Sequence, residues 1–399
     1  MKVLIADKFP DETRRALEQA GFKVRYEPDA GGERLPALIS DADVLVVRST
    51  KVSAAALKAG SCLQLVVRAG AGVNTIDVSA ASAHGVFVAN CPGKNAIAVA
   101  ELALGLLVGV DRRIAQASAE LKAGHWNKKE YGKADGLFGR TLGVVGLGEI
   151  GREVVPRARG LGMRVAGWSR SLTDDAAQAL GVVRMPSVEA LASESDAITV
   201  HLAYSPQTKG LLGPTFFARM RERAILVNTS RAGIVDEEAL LAAMEKRGVR
   251  YAADVFEGEP EAGTAEFATP VTKHPATLVT PHVGASTEQA QQAVADETVR
   301  IIKSFAQSGI VPNCVNLARR TPAKAQLNVR HLDRVGVLAG VLGAIREAGI
   351  NVEEVENVIF EGAQAACARI RLAREPEPAL VRAVEGLEHV IGAQVVALE

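Results

Sequence analysis

The stretch that most limits what this chain can fold into is residues 141–170, TLGVVGLGEIGREVVPRARGLGMRVAGWSR. Thr141–Val145 is short, apolar and closed by Gly146, which reads as a buried strand. Gly146, Gly148 and Gly151 follow in G-x-G-x-x-G spacing, then a helix-like run to about Leu161 and a second apolar strand, Arg164–Trp168. Strand, glycine turn, helix and strand in close succession is the setting in which this pattern binds a dinucleotide. Gly146 permits the tight turn, Gly148 lets the backbone approach a pyrophosphate, and Gly151 lets helix and strand pack closely. The helix begins at Glu149 and Ile150, where unpaired N–H groups and a positive dipole end face the phosphates. One position departs from the pattern. The end of the second strand, where an acid ordinarily holds the ribose, carries Ser169 and Arg170.

A chain of 399 residues predicts two or three domains. Its formal charge of zero supplies no basic surface for nucleic acid and no polybasic membrane patch, so neither partner is expected. Ala96–Val110 is the most apolar long run, but Glu101 interrupts it and it is too short to span a bilayer. It reads as a buried or interface helix. Cys62, Cys91, Cys314 and Cys367 lie far apart, without metal-ligand or redox spacing. They read as small core residues in a reducing compartment, with no metal expected. The opening MKVLIADKFP runs directly into a strand rather than a signal peptide, and the expected location is cytoplasmic.

Residues 1–92 alternate strand and helix patterns, with strands at Val3–Ala6, Lys23–Tyr26, Val44–Val47, Leu65–Arg68 and Val86–Ala89. Helices are predicted at Asp11–Ala20, capped near Asp11, at Leu35–Ser40, and at Ser53–Ala59, capped by Ser53. This alternation implies a parallel, doubly wound sheet. A long helix, Ala96–Ile114, leads to an irregular segment at His125–Gly136. The alternation resumes from Thr141, with further strands at Ala197–His201, Ala224–Val227, Tyr251–Val255 and Thr277–Val279, and a helix at Asp236–Lys246 capped by Asp236. The amphipathic run Glu288–Gln307 would carry the chain back to the first sheet, making a discontinuous domain of 1–92 and 285–315 around a cofactor domain at 93–284. Gly309–Lys324 reads as a linker. Residues 325–399 follow a β-α-β-β-α-β order, which predicts a small ferredoxin-like domain.

Three polar residues follow strands of the second sheet: Arg231 after AILVNTS, Glu259 after YAADVFEG, and His282 after TLVTP. Ligands of an open parallel sheet bind beyond the carboxyl ends of its strands, so these three are candidates to converge. As a set they suit oxidation of a hydroxy acid. A guanidinium holds a carboxylate in two-pronged geometry. An imidazole takes the hydroxyl proton, and a carboxylate beside it orients the ring.

These residues lie in segments that resemble the D-isomer-specific 2-hydroxyacid dehydrogenase family: VRAGAGVNTID (67–77), VAELALGLL (99–107), GLGEIG (146–151), LVNTSRAGIVDEEAL (226–240), DVFEGEP (254–260), TPHVGAST (280–287) and VPNCVN (311–316). The resemblance implies two doubly wound α/β domains, one flavodoxin-like and one Rossmann, with NAD as cofactor. It implies Arg231 as the substrate-binding arginine, Glu259 as the partner acid and His282 as the proton donor and acceptor. It puts Asp254 on the nicotinamide carboxamide with Thr229, and adds His201 to the cofactor set. Ala71 and Gly72 would offer N–H groups to the substrate carboxylate. The Gly-Ala-Ser after His282 resembles the branch that oxidises D-3-phosphoglycerate to 3-phosphohydroxypyruvate at the start of serine synthesis. That branch implies a phosphate site at Arg48 and Arg68, with Lys128 reaching across from a second subunit of a homodimer or homotetramer. Residues 325–399 resemble an ACT regulatory domain, which implies a possible amino-acid effector near His331, Asp333 and Asn351. Ser169 repels no 2′-phosphate and Arg170 is free to pair with one, so NADP is a possible cofactor beside NAD. The alternatives are a glyoxylate or hydroxypyruvate reductase and a non-catalytic, cofactor-sensing regulatory protein.

Overall fold

Runs such as VLVV (Val44–Val47), with every residue at 0% exposure, can be buried on both faces only inside a sheet covered by helices on either side. The computed structural model, which describes residues 1–260, 263–318 and 321–398, contains two such sheets in one unit, Met1–Asn316. The first is formed by β1 (Lys2–Ile5), β2 (Lys23–Tyr26), β3 (Val44–Val47), β4 (Leu65–Arg68) and β5 (Phe87–Asn90). All its pairings are parallel and the order is β2-β1-β3-β4-β5, the flavodoxin-like arrangement. One face packs Leu4, Leu45 and Val66 on the helices of this segment. The other packs Val3, Ile5 and Leu65 on Ile301 and Ile302 of the helix Glu288–Ser308. The late helix therefore does return to the first sheet.

The second sheet comprises β6 (Thr141–Val145), β7 (Arg164–Trp168), β8 (Val183–Arg184), β9 (Ala197–Val200), β10 (Ile225–Asn228), β11 (Arg250–Ala253) and β12 (Thr277–Val279). It is parallel throughout, in the order β12-β11-β10-β9-β6-β7-β8. Winding reverses between β6 and β9, so a crevice opens at their carboxyl ends. The apolar helix Ala96–Arg112 is mostly buried here, with Ala100, Leu104, Leu107 and Val110 against Val144, Val227 and Ala252.

The unit Leu317–Glu399 holds an antiparallel sheet of β13 (Ala325–Leu332), β14 (Val352–Ile359), β15 (Ala365–Leu372) and β16 (Val390–Ala397) in the order β14-β15-β13-β16. This is ferredoxin-like order. Leu327, Val329, Ile370 and Leu372 face Val341, Ile345 and Val384 of its two helices.

Several local expectations are corrected. Asp11 does not cap its helix: the N-cap is Pro10, and Asp11 is instead a first-turn acid. The helix expected to reach Ile114 stops at Arg112, because Arg113 takes a left-handed conformation (φ 48°), and a second helix, Ile114–Lys122, follows. The helix expected at Leu35–Ser40 is Gly31–Leu38. Short helices at Val78–Ala83, Asp174–Leu180, Val188–Glu194 and Pro214–Arg219 add to the elements that the sequence pattern predicts. Cys62 is exposed rather than a core residue; Cys91 is buried. Among the described residues no helix is long and apolar enough to cross a membrane, and no cluster of His, Cys, Asp and Glu is arranged to hold a metal.

The two connections between the sheets are tied by Glu297, which is 5% exposed. Its carboxylate accepts from Arg300 (2.6 and 2.9 Å) and Asn313 (2.7 Å), and lies 3.4 Å from Lys94 on the first connection. The Arg300 hydrogen bonds, opposed by burial and reinforced by Asn313 and the Arg300 and Lys94 charges, hold this carboxyl down at about 2. The folded-state value lies below the ordinary 4.5, so the stabilisation is complete above about 4.5 and is lost as pH falls toward about 2. Glu297→Gln should lower Tm at pH 7 by about 2–4 °C. Melting curves on a pH series should show the gap from wild type closing in the window from 4.5 down to about 2; a gap independent of pH would refute the assignment.

Candidate active site

Arg231 owes its place to Asn228, the last residue of β10, which is fully buried. The Asn228 Oδ1 accepts from the Ser230 N–H (3.0 Å) and hydroxyl (2.8 Å), while its Nδ2 donates to the Arg231 carbonyl (3.0 Å). The guanidinium donates through Nη1 to the Ser230 carbonyl (2.7 Å). Its Nη2 crowds the first sheet's Gly72, where a Cβ would lie 2.9 Å away.

His282 sits in the loop after β12 with a left-handed backbone (φ 52°), unusual for a residue other than glycine. Asp254, just past β11 and 2% exposed, fixes that loop. Its Oδ1 accepts from the Thr280 hydroxyl (2.5 Å) and the Val283 N–H (2.8 Å), and its Oδ2 from the Gly284 N–H (2.8 Å). The His282 Nδ1 lies 2.6 Å from the Glu259 Oε2, and the Phe256 N–H donates to Glu259 Oε1 (2.7 Å). Burial works to raise the Glu259 carboxyl. The His282 and Phe256 hydrogen bonds, with the charges of His282 and Arg231, outweigh it and hold the group below the usual carboxylate range. Glu259 is thus the anionic partner of the imidazole, and Arg231 is close enough to be felt by both this pair and the first sheet.

On the first sheet, Arg68 ends β4 and Arg48 follows β3. The Arg68 guanidinium folds over Gly70 (φ 154°), where a Cβ would meet Nη1 at 1.6 Å, and its buried Nε has no partner among the described residues. Burial, then the charges of Arg231 and Arg48, push the Arg68 pKa down. Three guanidinium groups therefore converge from two sheets. Ala71 and Gly72 lie beside them, and among the described residues neither N–H donates to another part of the chain. Lys128 stands exposed in the short helix Lys128–Tyr131, without an ion pair among the described residues.

The glycine turn has the shape its spacing demands. Gly146 (φ 95°) carries no room for a Cβ, which would fall 2.4 Å from the His201 carbonyl; one on Gly151 would fall 2.0 Å from the Gly146 carbonyl. Gly148, by contrast, faces open space; the exposed Glu149 lies beside Gly93, and the half-buried Ile150 packs on the core. His201, 8% exposed, bonds Thr199 Oγ1 through Nε2 (2.9 Å); among the described residues its Nδ1 has no partner, and neither has the buried Thr229 Oγ1. Burial holds His201 down at about 3, hence neutral. Orphaned polar atoms at the ends of β9 and β10, beside a cradle open at Gly148, fit a bound dinucleotide. At the end of β7, Ser169 is half-buried and Arg170 is exposed with no ion pair among the described residues. Arg184 pins this turn, donating to the Leu172 carbonyl (2.9 Å) and to Asp174 (3.1 Å).

In the C-terminal unit, His331 is buried, with Nδ1 2.8 Å from the Leu332 carbonyl and Nε2 3.2 Å from Asn357 Oδ1. Asp333 follows one residue beyond Leu332. Asn351 is not brought to them: Val352 pairs with Leu372 at the Ala325 end of the sheet, whereas His331 pairs with Ala366 at the other. Six residues of strand separate the levels, roughly 20 Å. Within one chain these three do not form one site. Two features of the site escape sequence reasoning, Asn228 and the bracing role of Asp254. Asn228 is legible only as a polar residue closing an apolar strand.

The two glycines separate fold from binding. Gly148→Ala should leave Tm within about 2 °C of wild type and weaken dinucleotide binding, read by calorimetry, at least tenfold, because the methyl occupies the pyrophosphate approach. Gly151→Ala should destabilise the fold outright. Unchanged affinity in Gly148→Ala would contradict the cradle.

A family profile, D-isomer specific 2-hydroxyacid dehydrogenase, NAD binding domain, matches residues 104–284. The chain is 38% identical over 347 residues to the D-3-phosphoglycerate dehydrogenase of Methanocaldococcus jannaschii, covering 86% of this chain and 64% of that one. It is 35% identical over 378 residues to the enzyme of the same name from Archaeoglobus fulgidus, covering 91% and 71%. It thus spans less than two thirds of the first relative's length. Among solved structures, the NAD+-bound 3-phosphoglycerate dehydrogenase of Entamoeba histolytica superposes with a TM-score of 0.66 at 29% identity, over 79% of this chain and 99% of that one. With this glycine cradle, this Arg-Glu-His geometry and these similarities, the chain belongs to the D-isomer specific 2-hydroxyacid dehydrogenase family.

Proposed function

We propose that the protein oxidises D-3-phosphoglycerate to 3-phosphohydroxypyruvate with NAD, the first step of serine synthesis. The observation that carries this reading is that the Arg231 guanidinium lies against Gly72, close to where Arg68 folds over Gly70. Its charge helps to hold Glu259 below the usual carboxylate range, and Arg48 adds its charge beside Arg68. A substrate with a carboxylate at one end and a dianionic phosphate at the other supplies the counter-charge that three clustered guanidiniums need. The relatives named D-3-phosphoglycerate dehydrogenase support it.

In this reading Arg231 and the Ala71 and Gly72 N–H groups hold the carboxylate, and Arg48 and Arg68 hold the phosphate. His282 Nδ1 donates to Glu259, which leaves Nε2 unprotonated toward the substrate. Nε2 takes the hydroxyl proton as the C2 hydrogen departs with its electron pair, and Glu259 offsets the positive charge that develops on the ring. The bound nicotinamide supplies the hydride acceptor. Gly146, Gly148, Glu149, Ile150 and Gly151 would hold its pyrophosphate, with His201, Thr229 and Asp254 nearer the reacting end. Asp254 acts also as the brace of the His282 loop. The site accommodates NADP as well, through Ser169 and Arg170.

Assembly as a homodimer or homotetramer is supported by exposed apolar side chains between 114 and 138: Ile114, Leu121, Trp126 and Phe138, the last two at 79% and 88% exposure. Lys128 lies in the same stretch. Regulation by an amino acid bound at the C-terminal unit belongs to the same reading, with His331 and Asp333 of one chain and Asn351 elsewhere.

His282→Asn should lower kcat by about 10²–10⁴-fold, and Arg231→Ala should lower kcat/KM by a comparable factor. Wild-type-like turnover in either sinks the mechanism. A kcat/KM for hydroxypyruvate equal to that for 3-phosphohydroxypyruvate would favour the reductase reading, and tight cofactor binding without turnover the regulatory one. Ser169→Asp should weaken NADP binding by about tenfold or more relative to NAD; an unchanged ratio of dissociation constants removes the NADP assignment.

A further inference from the structure

No motif of the sequence includes Asp7, which lies two residues beyond β1 and is 7% exposed. Its Oδ2 accepts three consecutive backbone N–H groups from the segment after β3: Arg48 (2.6 Å), Ser49 (3.1 Å) and Thr50 (3.0 Å). Its Oδ1 accepts the Ser49 hydroxyl (2.9 Å). The Thr50 hydroxyl adds a bond to the Ala6 carbonyl (3.1 Å), so β1's extension and this segment are stitched twice. Successive N–H groups pointing inward form a concavity that attracts an anion. Here the chain fills it with its own carboxylate.

Two consequences follow. First, the backbone from which the Arg48 side chain springs is held by charge-assisted hydrogen bonds, the strong kind, across 41 residues of sequence. Secondly, the Asp7 charge is felt by Arg68, where it opposes the repulsion from Arg231 and Arg48. Asp7 makes no ion pair with a side chain among the described residues, so its hydrogen-bonding capacity goes to fixing the Arg48 segment.

We propose that Asp7 is a positioning residue for phosphate selectivity: it holds the Arg48 segment in the geometry that receives the phosphate end of the substrate, without touching the substrate itself. This rests on the phosphoglycerate reading above. A contact fixed in advance costs less ordering at binding, so loss of Asp7 should be felt by the phosphorylated substrate and not by its unphosphorylated counterpart.

The test is steady-state reduction of 3-phosphohydroxypyruvate and of hydroxypyruvate by wild type, Asp7→Ala, Asp7→Asn and Ser49→Ala. Asp7→Ala should raise KM for the phosphorylated substrate about tenfold or more, with kcat within about twofold and hydroxypyruvate kinetics within about twofold. Asp7→Asn can keep an oxygen on the three N–H groups and turn its amide toward the Ser49 hydroxyl, so it should recover most of the loss, to within about threefold. Ser49→Ala removes one of the four bonds and should give a selective rise of about twofold to threefold, which keeps the proposal open to refutation if Asp7→Ala does not fold. A KM rise equal for both substrates, or no rise in any variant, overturns the role of Asp7. A wild type that does not prefer the phosphorylated substrate removes the functional reading, and this proposal with it.

Discussion

A parallel strand buried on both faces has no place for a working polar group along its length, and this constraint organises the protein. The inner strands of the two parallel sheets are lined by side chains such as Val46, Val67, Val144 and Leu226, all at 0% exposure. Polar function must wait until the strand has ended. Asp7, Arg48, His201, Thr229, Arg231, Asp254 and His282 all lie within three residues of the end of a strand, and Arg68 is itself the last residue of β4. Because all strands in a sheet point the same way, their ends collect at one edge. The site is a by-product of burying the strands.

Groups collected in this way still need orienting, and the structure does that with acids on backbone. Asp254 accepts two N–H groups and a hydroxyl from the His282 loop; Asp7 accepts three N–H groups and a hydroxyl from the Arg48 loop. A left-handed conformation at a residue other than glycine costs about 1–2 kcal/mol, and His282 adopts one. Three hydrogen bonds from Asp254 to positions 280, 283 and 284 are enough to offset it, at about 0.5–1.5 kcal/mol each or more where charge assists. The imidazole then meets Glu259 at 2.6 Å from a backbone that would otherwise prefer another shape.

What was legible in the sequence follows the same physics. The strands could be read closely, several to the residue, because an apolar run bounded by turn residues has few other meanings. Arg231, Glu259 and His282 could be read as candidates because each follows such a run. Two kinds of feature could not. The break at Arg113 and the helix Val78–Ala83, capped by Asp77, depend on local backbone choices that carry no periodic apolar signal. The pairing of Asp7 with residues 48–50 joins positions remote in sequence, and nothing in either segment names the other. Asn351 shows the converse: a residue type in a suggestive place, which strand register puts at the far end of the sheet from His331 within one chain.

Net charge and local charge act on different partners. A net formal charge of zero argues against polyanionic partners, which sense the field of a whole surface. A small dianion senses something else. Within a crevice walled by apolar strands, screening is weak and a few oriented charges dominate. Arg48 and Arg231 both press on Arg68 there, and the Asp7 carboxylate opposes them. That acid is hydrogen-bonded to backbone, so it tempers the repulsion without closing the guanidiniums off as an ion-pair partner would. The cluster is left short of negative charge, which is what the proposed substrate, with its carboxylate and phosphate, would supply. A local excess of this kind acts on a small anion at short range even where the whole chain carries no net charge.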